Sequence, residues 1–163
     1  MIIRPERLKG IDIRVVDVVK KIAERAKAEL GVDTLIVYGF RSFDEQNRLF
    51  AQGRTIPGDI VTNARAGQSP HNYHCAVDIV AQSIDPKTKK PFADWNNNRF
   101  YVIVKQECAK TTTVTHGWDW NRNGIADNEE GQRVFLDKPH IEVWGWRNIK
   151  ANPKKLRPFT GEI

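Results

Sequence analysis

Between Ser69 and Asp78 the chain reads Ser-Pro-His-Asn-Tyr-His-Cys-Ala-Val-Asp, which places His71 seven positions ahead of Asp78. The run Cys75 to Ala81 is short, β-branched and apolar, as a strand requires. A loop histidine followed by a carboxylate on a strand suits a metal ion that draws nitrogen and oxygen ligands from separate elements. A third ligand must come from elsewhere, and His140 in Asp137-Lys138-Pro139-His140-Ile141-Glu142 is the obvious supplier. Taken singly, each has a plainer reading: a turn histidine, a strand-end carboxylate, a core histidine. Taken together they point to a zinc site with catalytic chemistry.

A second stretch carries a ligand spacing of its own. Asp119 to Glu130 fits the twelve-residue calcium-loop pattern at every specified position. Asp119, Asn121 and Asn123 would supply side-chain oxygens, Gly124 the sharp turn, Ile125 a carbonyl, Asp127 a carboxylate or water contact and Glu130 a bidentate pair. The alternative is a polar Asn/Gly turn that binds nothing, because a strand rather than a helix enters the loop. The loop ends seven residues before Asp137. A bound Ca2+ of modest affinity would therefore order the segment that presents Asp137 and His140.

These groups need elements to hold them. Val15, Val18, Val19, Ile22, Ala26 and Leu30 recur at helical spacing between Asp12 and Gly31, an amphipathic helix closed by glycine. Thr34 to Tyr38 reads as a strand, Gly39-Phe40-Arg41 as a turn, and Ser42-Phe43-Asp44-Glu45 as a capping box opening a helix that ends at Gly53. Arg54 to Gln68 lacks periodicity and carries Pro57-Gly58, so it reads as a loop. Asp85 to Pro91 suggests a hairpin or exposed loop, Asn96 to Lys110 a second long helix, and Val114–Trp118 and Ile141–Trp144 two more strands. The basic tail from Lys150 either packs over the surface or frays. Helices flanking a small, mainly antiparallel sheet give an α+β domain.

Bulk properties agree. A chain of 163 residues has the size of one domain, with no linker or repeat to suggest a second. No apolar run approaches the roughly 18 residues of a membrane span, so no stable membrane insertion is expected. The start lacks the apolar stretch of a signal peptide, so synthesis in a cytoplasm is expected, and work outside that compartment would need something else to carry the chain there or open the membrane. Cys75 and Cys108 read as small core residues rather than a disulfide. Most of the five tryptophans are expected in the core, with one or two available to line a groove. A net charge of +6 suits an anionic wall, an anionic membrane face or nucleic acid. The basic–aromatic strand pattern of nucleic-acid platforms is missing, so nucleic acid is not expected.

Ser69-x-His71-x6-Asp78 with Asp137-x-x-His140 downstream resembles the zinc peptidases that include D-Ala-D-Ala carboxypeptidases, D-Ala-D-Ala dipeptidases and phage L-alanyl-D-glutamate endopeptidases. Gly39-Phe40-Arg41-Ser42, Asp44-Glu45-Gln46 and Gln52-Gly53-Arg54-Thr55 resemble the N-terminal half of the cell-wall endopeptidase branch. The resemblance implies that fold, with the zinc site in a central groove, and makes His71, Asp78 and His140 the zinc ligands. It makes Asp137 the catalytic carboxylate, Arg41 the group that polarises the substrate carbonyl, Ser69 a hydrogen-bonding neighbour and Glu142 a partner to a ligand. One departure stands out: His74 occupies a position where the family usually has glycine. Histidine tolerates positive φ better than most residues; its side chain is expected in solvent, with the metal or substrate as alternatives. No His-Glu-x-x-His helix is present, so thermolysin-like chemistry is excluded. The resemblance thus implies an endolysin-type zinc endopeptidase cutting the L-Ala–D-Glu bond of peptidoglycan; a monomer is expected. The alternatives are a D-Ala-D-Ala carboxypeptidase of the same fold, or a non-catalytic zinc-containing wall-binding module.

Overall fold

The computed structural model describes residues 1–122, 125, 127 and 136–161. Among the described residues, six strands form one sheet: β1 (Ile2–Ile3), β2 (Asp33–Tyr38), β3 (Ala76–Ile84), β4 (Pro91–Asp94), β5 (Val114–Gly117) and β6 (Asp137–Val143). Their order is β1-β2-β3-β6-β5, with β4 pairing β3 beyond the end of β6. Among these described strands only β1 and β2 run parallel; the other strand pairings are antiparallel. The expected α+β class with a mainly antiparallel sheet is what the chain adopts.

The long helix α1 (Ile13–Leu30) begins where Asp12 accepts the Arg14 N–H and ends where Gly31 turns left-handed at φ 70°. Valines are poor helix formers, so burial of Val15, Val16, Val18, Val19 and Ile22 against the sheet is what holds it. Helix α2 (Phe43–Ala51) starts with the Ser42 hydroxyl accepting the Glu45 N–H at 3.1 Å. It stops two residues short of the expected Gly53, and Gln52 is its cap. Helix α3 (Asn98–Ala109) packs on α1, and a short α4 (Arg147–Ala151) follows the sheet.

Alternation along the strands gives the sheet two unlike faces. Ile36, Val77, Ile79, Ala81, Ile141 and Val143 join α1 and α3 in the core. The intervening residues Asp78, His140 and Glu142 lie on the other face. Strand β6 begins at Asp137, four residues earlier than expected, so both Asp137 and His140 sit on regular structure. Cys75 and Cys108 are buried free thiols. The tail is docked rather than frayed: Ile11 and Phe159 are joined by a backbone bond of 2.8 Å, and Gly10 donates to Phe159 at 2.9 Å. The tryptophans divide otherwise than expected, since only Trp118 and Trp146 are buried while Trp95 and Trp144 are about half exposed.

Candidate metal centre

His71 sits in a one-turn 3-10 helix, Pro70–Tyr73, whose proline presets the backbone angle. Its Nδ1 donates to the Gly39 carbonyl at 2.8 Å, which fixes the tautomer and leaves the Nε2 lone pair free. Gly39 is required there, because a Cβ would come within 2.1 Å of the Arg7 carbonyl oxygen. Asp78 and His140 are direct cross-strand partners in the β3–β6 register. Asp78 Oδ1 lies 2.9 Å from His140 Nδ1 and 3.4 Å from His71 Nε2. The far side of the His140 ring is held by Glu142, whose Oε2 accepts from Nε2 at 3.1 Å.

Each of the three residues therefore offers one atom to a common point, and those atoms lie within 4.8 Å of one another. Two outward nitrogens engaged with a carbonyl and a carboxylate, two inward nitrogens and one carboxylate oxygen match a three-ligand zinc site. Electrostatics say the same. Burial alone would raise the Asp78 carboxyl, yet the His71 and His140 imidazoles hold it far below the usual carboxylate range. Burial would lower His140, but hydrogen bonds to Asp78 and Glu142 push it up to about 10. The buried carboxylate thus demands positive charge beside it, either a proton on His140 or a cation among the three.

Arg41 and Asp137 stand at the same cleft, of about 480 Å³, with Leu49, Val61 and Trp95 among its walls. The buried Arg41 guanidinium donates to Gln46 Oε1 at 2.9 Å, lies 4.7 Å over the Tyr38 ring, and reaches within 3.8 Å of Asp78. Gln46, fully buried on α2, is anchored in turn by the Ala64 carbonyl at 2.7 Å. Burial raises the Asp137 carboxyl above its ordinary value, although His140 opposes this. A larger and more open hollow of about 680 Å³ beside α1, lined by Met1, Ile2 and Ala23 among others, contains none of these groups. Chemistry, not volume, locates the site.

The remaining expected positions fall out unevenly. Ser69 is buried, but its side chain makes no capping bond and it is its carbonyl that accepts the Asn72 N–H. His74 has the positive φ expected, 58°, but its ring neither joins the cluster nor faces solvent freely; it stacks on Phe40 at 4.1 Å and 8°. Asp119 and Asp127 are buried, Asn121 and Ile125 exposed, and Asn123, Gly124 and Glu130 lie outside the described residues. Sequence reasoning missed Gln46, although its motif had been singled out, because nothing in a helix pattern says which polar residue turns inward. Among the tryptophans near the proposed metal loops it could not choose; the Trp120 ring lies 5.8 Å from that of His140, and Trp95 lines the cleft.

Comparison with known proteins places these observations. A sequence family described as VanY D-alanyl-D-alanine carboxypeptidase matches residues 9–123. The peptidoglycan L-alanyl-D-glutamate endopeptidase CwlK of Bacillus subtilis (strain 168) is 37% identical over 131 residues, covering 77% of this chain and 71% of that protein. Among solved structures, the Serratia marcescens L-Ala D-Glu endopeptidase ChiX superposes with a TM-score of 0.55 at 18% identity, over 91% of this chain and 92% of that one. A vancomycin-resistance D,D-pentapeptidase VanY solved with Zn(II) gives 0.51 at 18% identity, over 88% and 79%. At such identities the two structures establish the fold alone. Asp137 and His140 lie beyond the span of the family match, so their place beside His71 and Asp78 rests on the geometry.

Proposed function

The chain belongs to the VanY D-alanyl-D-alanine carboxypeptidase family, and on that premise we propose that it is a zinc peptidase that hydrolyses the L-alanyl–D-glutamyl bond of peptidoglycan stem peptides. The carrying observation is the convergence of His71, Asp78 and His140 on one point in a cleft that also holds Asp137 and Arg41. The choice of bond follows CwlK, the endopeptidase that matches over most of both chains.

His71 Nε2, an Asp78 oxygen and His140 Nδ1 would hold the zinc ion. When bound, it acts as a Lewis acid on the scissile carbonyl and lowers the pKa of water to about 7. Asp137 takes the proton of the attacking water and returns it to the leaving amine; burial raises its carboxyl toward the range that general acid–base work needs. Arg41, kept in place by Gln46, offers N–H groups to the developing oxyanion. Glu142 holds His140 in the tautomer whose Nδ1 faces inward.

Calcium is the finer part of the proposal. Asp127 Oδ2 accepts the Trp120 backbone N–H at 2.9 Å, and the Trp120 ring packs near His140. A calcium ion drawing on Asp119 and Asp127 would thus act on the wall of the zinc site through Trp120. Titration calorimetry at millimolar calcium tests this directly, and a flat trace removes it.

Purified protein digesting cell walls tests the main reading. New N-terminal D-glutamate that disappears with chelator and returns with zinc supports it. Release of D-alanine without new D-glutamate termini would assign the D,D-carboxypeptidase reaction instead.

A further inference from the structure

Next to the catalytic cleft is a second hollow of about 300 Å³, lined by Glu6, Arg7, Lys9, Tyr38, Phe40 and Glu45, with the Gly39 backbone. Tyr38 lines both. It is also the β2 residue paired with Asp78 on β3, so the hollow begins one strand away from the metal ligands. Three features give this hollow a chemistry. Phe40 is 48% exposed although His74 lies flat against it at 4.1 Å, which presents a fixed aromatic surface to solvent. Among the described residues no hydrogen bond or ion pair engages the side chains of Glu6, Arg7, Lys9 or Glu45. Those four side chains carry both signs of charge, so the hollow suits a ligand rich in hydroxyl and amide groups more than a lipid or a polyanion.

We propose that this hollow is a sugar subsite, in which the amino sugar bearing the stem peptide rests on Phe40 and hydrogen-bonds to the surrounding charged side chains. The inference rests on the endopeptidase reading above. In peptidoglycan the stem begins with an L-alanine joined through a lactyl group to an N-acetylated amino sugar. Cleavage after that alanine keeps the sugar within about one residue, ~3.5 Å of chain plus the lactyl link, of the scissile carbonyl. A site that cuts there has a sugar ring at its edge, and an aromatic platform with polar neighbours is what such a ring would meet.

The test compares kcat/KM for a stem peptide attached to its disaccharide with kcat/KM for the same peptide free. The wild-type protein is expected to favour the disaccharide-linked substrate by about tenfold, and Phe40→Ala to remove most of that preference, as the loss of one aromatic contact implies. Lys9→Ala, at an exposed position, is expected to lower it less. The ratio cancels any general loss of activity, so a variant that is merely less well folded does not mimic the effect. A wild-type ratio near one, or a ratio that Phe40→Ala leaves unchanged, overturns the subsite. If neither substrate is cut, the endopeptidase reading has failed, and NMR titration with peptide-free disaccharide decides the subsite separately. Shifts at the Tyr38 to Phe40 amides uphold it, and their absence overturns it.

Discussion

Asp137 and His140 are three positions apart on one strand, yet their environments assign them different work. His140 is clamped between Asp78 and Glu142, so replacing it opens the metal site; Asp137 contributes no atom to the three-residue cluster. Asp137→Ala is therefore expected to retain zinc while hydrolysis drops by roughly 10²–10⁴-fold, the usual worth of a general acid–base group. His140→Ala is expected to lose both, and metal content by atomic absorption beside wall turbidity separates the two outcomes. Glu142→Gln probes the outward nitrogen of His140, with zinc affinity expected to fall about 10–100-fold. The same clamp sets a pH dependence in the metal-free protein. His140 is raised from 6.5 to about 10, so its bond to Asp78 stabilises the fold fully below pH 6.5. That contribution is lost as the pH climbs through about 10. Thermal melts of the zinc-free protein should fall across this window, and His140→Gln should flatten the decline. The three residues of the proposed zinc site could be picked out in the sequence because side-chain type and spacing carry their chemistry, and the fold brings one atom of each within 4.8 Å of the others. The tautomer of His71 could not, since it depends on the Gly39 carbonyl arriving from elsewhere in the fold, whereas Glu142, two residues from His140 on the same strand, could be named in advance.

At the level of elements, the site depends on close backbone approaches that only certain residues permit. A Cβ on Gly117 would lie 2.1 Å from the Asp137 carbonyl oxygen, so β5 and the start of β6 touch where the proposed general base emerges. Gly117→Ala must push β6 outward. Activity should fall at least tenfold while zinc content holds, because a misplacement of about 1 Å at a reacting group is enough for a larger loss. Asp12 serves the join between the first helix and the tail. It caps α1 through Arg14 and accepts the Arg157 N–H at 3.0 Å, tying the tail to the first helix. Burial would raise its carboxyl, but Arg14 and the two backbone N–H groups together hold it below its ordinary value. Its contribution is thus present above about pH 4 and lost as the pH falls through the lowered value. Asp12→Ala should lower stability by about 1–2 kcal/mol at neutral pH, read from denaturant midpoints, as loss of a helix cap does. Helices α1, α2 and α3 could be read from caps and apolar spacing, which are local. The extension of β6 back to Asp137 could not, because Lys138 and Pro139 interrupt the apolar pattern and only pairing with β5 makes that stretch a strand.

For the whole molecule, the division of the sheet into a core face and a chemical face leaves the charge to the outside. Of the charged groups lining the candidate cleft, Arg41 is basic while Asp78 and Asp137 are acidic, so the net charge of +6 is not carried by the cleft. The excess positive charge lies instead on exposed lysines and arginines such as Lys9, Arg54, Arg65 and Lys154. A surface of that kind raises local concentration at an anionic polymer without altering the chemical step. Salt should then separate the two contributions. Between low ionic strength and about 0.5 M, where the screening length shrinks from tens of ångströms to a few, binding to intact walls should weaken severalfold. Hydrolysis of a short soluble stem peptide, whose recognition lies inside the cleft, should change little over the same range. Co-sedimentation with purified walls and a soluble-substrate assay in matched buffers measure the two arms. A parallel loss in both would mean that the positive surface acts on the catalytic groups themselves, and the separation of docking from chemistry would have to be abandoned.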